Sequence, residues 1–348
     1  VPDLYELAAR FRAELVLGER RAAGEMVRAY REAYRRLQAD LARVQARIAE
    51  ARRAGQEISP ALLYRERRIQ VLETRVVEEI GRFSRSAEQV VRAQAEAAAT
   101  LGVDQAVRMI DAATPPGIGV DSIRLASDAV EQIVAQTQRE TALGQLLGRL
   151  GSQAAAAVTD ELVSGVALGR NPRVIASGMR DALGGNLTRA LTISRTEVMR
   201  AWRESARETY RRNADVVSGW TWWSALDRRT CASCLAQHGT VHALDEAMAT
   251  HPRCRCVAIP QPRSWRELGA AGAAEPRPPE TGTSWFARQP VSVQRDVLGA
   301  AKLAAYRRRE IALADLVKRE RSPQWGPSTR VAGLRDAREA ARRRRLAA

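Results

Sequence analysis

Along the first hundred residues, apolar side chains recur every three or four positions. Val27, Tyr30, Tyr34, Leu37, Leu41, Val44 and Ile48 make a seam sustained for about three heptads, with Arg and Glu on the remaining faces, as in a helix that buries one stripe against a partner helix. The seam stops at Ala54-Gly55, and Ser59-Pro60 then offers an N-cap and a first-turn proline. Ile69, Leu72, Val76, Ile80, Phe83, Ala87 and Val90 repeat the stripe. Two such segments joined by a short break predict an antiparallel helical hairpin over residues 1–100, each arm at least ~30 Å long. Leu4, Leu7, Phe11 and Leu15 predict a shorter helix in front of it. The outer face of the hairpin is available to fold back on its own domain or to meet another copy of the chain.

Residues 101–214 keep the helical texture, in shorter elements punctuated by Pro115-Pro116-Gly117, Asn171-Pro172 and Gly184-Gly185. Leu191 to Tyr210 reads as one helix and carries Ser194-Arg195-Thr196-Glu197. The pattern then changes. Val216 to Trp223 and Cys256 to Ile259 are rich in strand formers, and they bracket a predicted β module over 215–262. A Pro/Gly-rich linker over 263–283 follows, with Pro276, Pro278 and Pro279, and then a helical segment over 284–348 that ends in a frayed basic tail, Arg342-Arg343-Arg344-Arg345. The predicted fold class is mainly α with a small β module, an α+β chain opened by a helical hairpin.

Composition adds a partner class. The 348 residues hold 56 Lys+Arg against 40 Asp+Glu, a formal charge of +16, and only 5% aromatics. Cores so poor in rings must be built from Ala, Leu and Val, which suits packed helices. Lys302 and Lys318 are the only lysines. A GC-rich genome accounts for that skew but not for the excess of positive charge, which suits a polyanion such as DNA. No uncharged stretch approaches the roughly 18 residues of a membrane span. Asp3, Glu6, Arg10 and Arg12 do not fit a secretory signal, so assembly in a cytoplasm, without membrane contact, is expected.

All four cysteines and all three histidines fall within the 26 residues from Cys231 to Cys256. Cys231-Ala-Ser-Cys234 is a C-x2-C knuckle, whose two thiolates can share one ion. His251-Pro-Arg-Cys254-Arg-Cys256 offers three more donors where tetrahedral zinc needs two. Cys254 with Cys256 is the first choice of closing pair, and His251 with either cysteine comes next; His238 and His242 are weaker candidates. Two disulfides are the competing reading, disfavoured in a cytoplasmic chain. A surplus of protein donors fits a structural zinc. The alternative is a zinc-hairpin nuclease or a DNA-binding zinc protein, in the former of which His238 or His242 would act as base. Arg228, Arg229, Arg253 and Arg255 flank the knuckles and can offset thiolate charge or face phosphates. Trp220, Trp222 and Trp223 are expected to pack the small core beside the ion, in preference to stacking on bases.

Trp223, Asp227-Arg-Arg-Thr-Cys231-Ala-Ser-Cys234 and His251-Pro-Arg-Cys254-Arg-Cys256 together resemble the signature of the phage head morphogenesis family, the Mu F-like minor head proteins of tailed phages. Arg195-Thr196-Glu197 is similar to that family's Arg-Thr-Glu element. Ser284-Trp285-Phe286, Gln289-Pro290, Leu298-Gly299 and Asp315-Leu316-Val317 resemble segments that follow its cysteine motif. The resemblance implies a non-enzymatic minor capsid component inside the virion near the portal. Its partners would be the portal protein, the major capsid protein and packaged double-stranded DNA, bound non-specifically, and it would assemble in the host cytoplasm. In the family, histidine often stands at the position of Cys234, with the Cys231 position then often not a ligand, which keeps His251 among the candidates.

Overall fold

The computed structural model describes residues 4–56, 67–115, 121–140, 142–168, 170–270, 278 and 280–347. Ser59-Pro60, Pro116-Gly117, Pro276 and Pro279 lie outside the described residues. The helices are α1 (Leu4–Arg53), α2 (Arg67–Ala113), α3 (Ser127–Glu140), α4 (Leu143–Gly148), α5 (Leu150–Ala167), α6 (Pro172–Arg212), α7 (Ala232–Gln237), α8 (Gly282–Ala287), α9 (Val291–Arg307) and α10 (Leu334–Leu346). The strands are β1 (Val217–Trp223), β2 (Val241–His242), β3 (Val257–Pro262), β4 (Val317–Ser322) and β5 (Gly326–Val331), with a 3-10 turn at Leu313–Leu316 before β4. Among the described residues the fold is mainly α with two small antiparallel sheets, which bears out the mainly α class with a small β module, although the second sheet, β4–β5, was not expected.

One compact unit comprises residues 18–94 and 142–197. Here the antiparallel helical hairpin is present. Tyr30 of α1 meets Phe83 of α2 edge to face at 5.4 Å, and Arg36 reaches the buried Glu79 at 3.2 Å. The buried stripe runs through Met26, Tyr30, Ala33, Leu37, Val44 and Ile48, answered by Leu72, Val76, Ile80, Phe83, Ala87 and Val91. Tyr34 and Leu41 are half-buried instead, with Ala33 and Asp40 turned inward, and Val91 replaces Val90. A straight helix of 3.6 residues per turn drifts against a strict heptad, so the inward face moves by one position. Close packing continues onto α5, where a Cβ on Gly151 would lie 3.0 Å from the Val77 carbonyl. Gly184-Gly185 does not interrupt the chain and lies inside α6.

The other unit comprises residues 1–17, 95–141 and 198–348. Its sheet has the order β2-β1-β3, with Trp220 opposite both His242 and Pro260, and Trp222 opposite Ala258. One core gathers Phe11, Met109, Trp202, Tyr210, Trp220, Trp222, Val257 and Ile259. A second gathers Ala232, Leu235, Phe286, Leu298, Leu313, Leu316 and Ala337. The C-terminal segment is not wholly helical: β4 pairs with β5 from Val317↔Val331 to Ser322↔Gly326. The Arg342–Arg345 run is the last turn of α10, not a frayed tail. Within the segment predicted as a linker, Trp265 donates from Nε1 to the Ala113 carbonyl at 3.3 Å.

Candidate metal centre

Each knuckle is preset by its backbone. Asp227 opens the first: its carboxylate accepts the Arg229 N–H and the Thr230 hydroxyl, both at 3.0 Å, and the Thr230 N–H returns to the Asp227 carbonyl at 3.0 Å. Burial raises the Asp227 pKa, but these hydrogen bonds outweigh it and leave the carboxyl below its ordinary value. The turn delivers Cys231 to the N-cap of α7, and Cys234 follows one helical turn later, buried. The second knuckle is a four-residue turn closed by the Cys254 N–H on the His251 carbonyl at 3.1 Å. Proline sits at its second position and Arg253, with φ 67°, at its third. That left-handed backbone favours glycine and strains an arginine.

These turns bring together all five candidate donors from Cys231, Cys234, His251, Cys254 and Cys256. Two triads form, Cys231/Cys234/His251 and Cys234/Cys254/Cys256, and within each every donor atom lies within 4.8 Å of the others. His251 Nε2 is 3.4 Å from Cys231 Sγ and 3.3 Å from Cys234 Sγ, and Cys234 Sγ is 3.8 Å from Cys254 Sγ. A tetrahedral ion with metal–sulfur bonds of ~2.3 Å separates its sulfurs by about 3.8 Å, and its sulfur from an imidazole nitrogen by about 3.5 Å. The donor set therefore fits a soft or borderline divalent ion. All four cysteines are free thiols.

Hydrogen bonding orients the imidazole. His251 Nδ1–H donates to the Pro252 carbonyl at 2.8 Å, which turns Nε2 toward the sulfurs. Burial lowers the His251 pKa, but its bonds to Cys231 and Cys254 outweigh burial and raise it to about 11. The Cys231 thiol is lowered to about 5, first by the hydrogen bond from Cys234 and then, against burial, by His251. An imidazolium paired with thiolate is the proton-loaded form of such a site, and a metal ion would displace the Nε2 proton.

Arg203 of α6 could not be singled out among fifty-four arginines. It is 3% exposed, and its guanidinium donates from Nε to the Cys256 carbonyl and from a terminal nitrogen to the Cys254 carbonyl, each at 2.8 Å, while reaching Thr250 Oγ1 at 3.2 Å. Two turns on, the Tyr210 hydroxyl donates to the Ala258 carbonyl at 3.2 Å. One face of α6 thus braces the closing knuckle and the outer edge of β3. Arg12, Arg229, Arg253 and Arg255 line the cleft around the cluster; Arg12 is more than two hundred residues away in sequence, and Arg228 is not among the lining residues.

The other histidines serve the sheet. His238 Nδ1 accepts the Ser224 N–H at 2.9 Å in a buried position, and burial lowers its pKa to about 4. His242 stacks on Trp220 at 4.2 Å and bonds Glu246 at 3.0 Å. Neither joins a donor triad. Trp220 and Trp222 are buried in the core, and Trp223 stacks on Tyr5 at 5.0 Å. In the Arg-Thr-Glu element, Arg195 pairs with the buried Glu19, the Thr196 hydroxyl donates to the Thr192 carbonyl at 2.7 Å, and Glu197 is 1% exposed.

Fold and site define a helical protein that carries a compact Cys/His centre against a three-stranded sheet. Residues 156–259 match the sequence profile of the family described as Phage Mu protein F like protein, which bears out the resemblance to the phage head morphogenesis family. The matched stretch contains all five candidate donors and Arg203. No curated protein and no solved structure matches the chain. Among the described residues, no helix is long and apolar enough to cross a membrane.

Proposed function

We propose that the chain is a minor head protein of a tailed phage, a structural component that works at the portal vertex and in which a zinc ion ties the two knuckles into one rigid module. The observation that carries this reading is the coincidence of the family match over 156–259 with the paired donor triads inside it. Zinc fits the donors, since thiolate and imidazole at tetrahedral separations suit it and a site closed by four protein ligands leaves no open position for chemistry. The residues that would hold the ion are four of Cys231, Cys234, His251, Cys254 and Cys256. The ion would supply folding free energy to a module whose knuckle helix has only six residues.

Portal protein and major capsid protein are the protein partners, and packaged double-stranded DNA is contacted without base recognition, which places the chain inside the virion. No catalytic role is assigned. His238 offers its Nδ1 lone pair to a backbone N–H and His242 is stacked on a tryptophan, so neither is poised as a base toward water. The test pairs metal analysis of the purified protein with heads assembled from a phage carrying Cys231→Ser with Cys234→Ser. About one zinc per chain, lost in the variant together with thermal stability and normal heads, is the expected result. A metal-free variant that keeps both overturns the structural-zinc reading, and metal-dependent cleavage of duplex DNA by the native chain overturns the non-enzymatic one.

A further inference from the structure

The final helix, α10, contributes little to the core. Its buried side chains are Ala337 and Ala341, and two alanines remove too little apolar area from water to explain thirteen ordered residues. What the helix does contribute is charge, with six arginines against Asp336 and Glu339. Its position is fixed by ionic struts. Arg344 grips the buried Asp315 with two bonds of 3.0 Å, Arg338 reaches Glu310 at 2.7 Å, and Arg345 donates to the carbonyls of Arg309 and Glu310 at 2.7 and 3.0 Å. Glu310 is also shared with Arg308 at 2.5 Å. The carboxylates of this corner are thus engaged in holding the helix down.

Arg335, Arg338, Arg342 and Arg345 are spaced three and four apart and share one face of α10. Arg345 spends its hydrogen bonds on carbonyls, interacts with Asp315 only electrostatically, and sits against Arg309, which is exposed. Among the described residues, Arg309, Arg335 and Arg342 have no acidic partner within ion-pair distance. All the arginines of α10 are exposed. Ion pairs that orient a helix whose exposed arginines outnumber the carboxylates beside them make a preset cationic stripe about 15 Å long at 1.5 Å per residue.

We infer that this stripe is the surface through which the chain binds the phosphate backbone of double-stranded DNA, independent of sequence. The inference rests on the reading above that packaged DNA is contacted, and it assigns that contact to one element. Guanidinium groups suit phosphate oxygens geometrically and keep their charge. A membrane surface fits worse, because helices that lie in a lipid interface carry an apolar face with Trp, Phe or Leu, whereas the outward faces of α10 offer Leu346 alone. Exposed arginines with no partner shaped for a groove position the duplex and read no bases.

The test measures binding of the full chain to a 30-base-pair duplex of arbitrary sequence by fluorescence anisotropy across a salt series. The native chain is compared with Arg309→Gln/Arg335→Gln/Arg342→Gln and with a control, Arg20→Gln/Arg31→Gln/Arg35→Gln, that removes the same charge from exposed positions of α1. The first variant is expected to lose at least about tenfold in affinity and about three units of slope in log K against log salt, at ~0.9 per lost phosphate contact, with melting unchanged; the control keeps both. Equal losses in the two variants, or a loss in the control alone, overturn the assignment to α10 and leave the DNA contact standing. A native chain that does not bind the duplex at all overturns the DNA reading itself and this inference with it. Equal binding to vesicles of anionic lipid, lost in the same variant, would assign the stripe to membranes and refute the choice of DNA.

Discussion

Arg203→Met tests whether the metal centre is braced from α6. The substitution keeps a long apolar stem in the space while removing a guanidinium that satisfies the Cys254 and Cys256 carbonyls at 2.8 Å each. Hydrogen bonds from a charged donor contribute about 1.5–3 kcal/mol apiece, and buried acceptors left unpaired carry a similar penalty. Two such bonds put the expected loss at about 3–6 kcal/mol, with the weaker contact to Thr250 adding little. Arg203 is also a buried positive charge beside two thiols, and it favours their ionised forms, so metal affinity should fall by about 10–100-fold, the range found when outer-shell partners of a metal ligand are removed. Urea denaturation of the zinc-loaded and chelator-stripped proteins measures the first effect, and competition with a chromogenic chelator the second. Arg203→Lys should recover part of the affinity, because the charge returns without the two-pronged geometry. If Arg203→Met melts within about 0.5 kcal/mol of the native protein and holds zinc equally well, the two carbonyls do not depend on the guanidinium and the bracing argument fails.

Three further outcomes follow from particular contacts. His251→Ala should abolish tetrahedral cobalt(II) absorption while Cys256→Ser retains it, since the His251 separations of 3.3 and 3.4 Å already match a ligand edge; the reverse result would make Cys256 the fourth ligand. Gly282→Ala should cost about 2–3 kcal/mol or prevent folding, because its Cβ would fall 1.9 Å from the Leu235 carbonyl oxygen, which is backbone and cannot rotate away, whereas Gly184→Ala, with open space around it in α6, should stabilise by about 0.5–1 kcal/mol in the same denaturation assay. For Asp315, burial raises the pKa but the bonds from Arg344 and the Ala312 N–H outweigh it and hold the carboxyl below 3.8. A depressed carboxylate stabilises the fold above its unfolded value and loses that contribution as pH falls through the folded one. The difference in melting temperature between the native chain and Asp315→Asn should therefore be full at neutral pH and close below about pH 4; a constant difference would refute the ion pair's role.

The helical hairpin was legible because its apolar spacing is periodic over many turns; the errors were of register, at Val27, Tyr34, Leu41 and Val90, and in reading a separate shorter helix where Leu4 to Leu15 form the first turns of α1. Strands β1 and β3 were legible from their aromatic and β-branched residues, and the donor set from its spacing. The hairpin β4–β5 was not, because Val317-Lys-Arg-Glu-Arg-Ser has no apolar alternation to read. It is held instead by contacts made at long range: the Ser328 and Thr329 hydroxyls donate to the carbonyls of Thr250 and Ala249 at 2.9 and 3.0 Å. Arg203 was hidden for the same reason, since its partners are main-chain carbonyls some fifty residues away that any residue type could have provided. Composition also misdirected in one place. The four-arginine run resembled a frayed tail, but Asp315, Glu339 and the carbonyls of Arg309 and Glu310 hold it as a helix.

The position of α7 makes a stronger demand on the ion than local closure of a loop. A helix of six residues is far below the length that is stable alone, and this one stands between two cores: Cys234 packs into the cluster of Trp202, Trp220 and Val257, while Ala232 and Leu235 pack into that of Phe286, Leu298 and Leu316. A metal ion on Cys231 and Cys234 would therefore fix the orientation of a wedge whose other face carries the C-terminal elements. Chelation should loosen both clusters, lowering hydrogen-exchange protection at α8 and α9, which hold no candidate ligand, as well as at the knuckles themselves. The helical hairpin of residues 18–94 has its own buried stripe and should keep its protection. If exchange rises only between residues 227 and 256, the wedge transmits nothing and the ion closes a loop; if the hairpin loosens as well, the two compact units do not unfold independently and the site is a keystone for the whole chain.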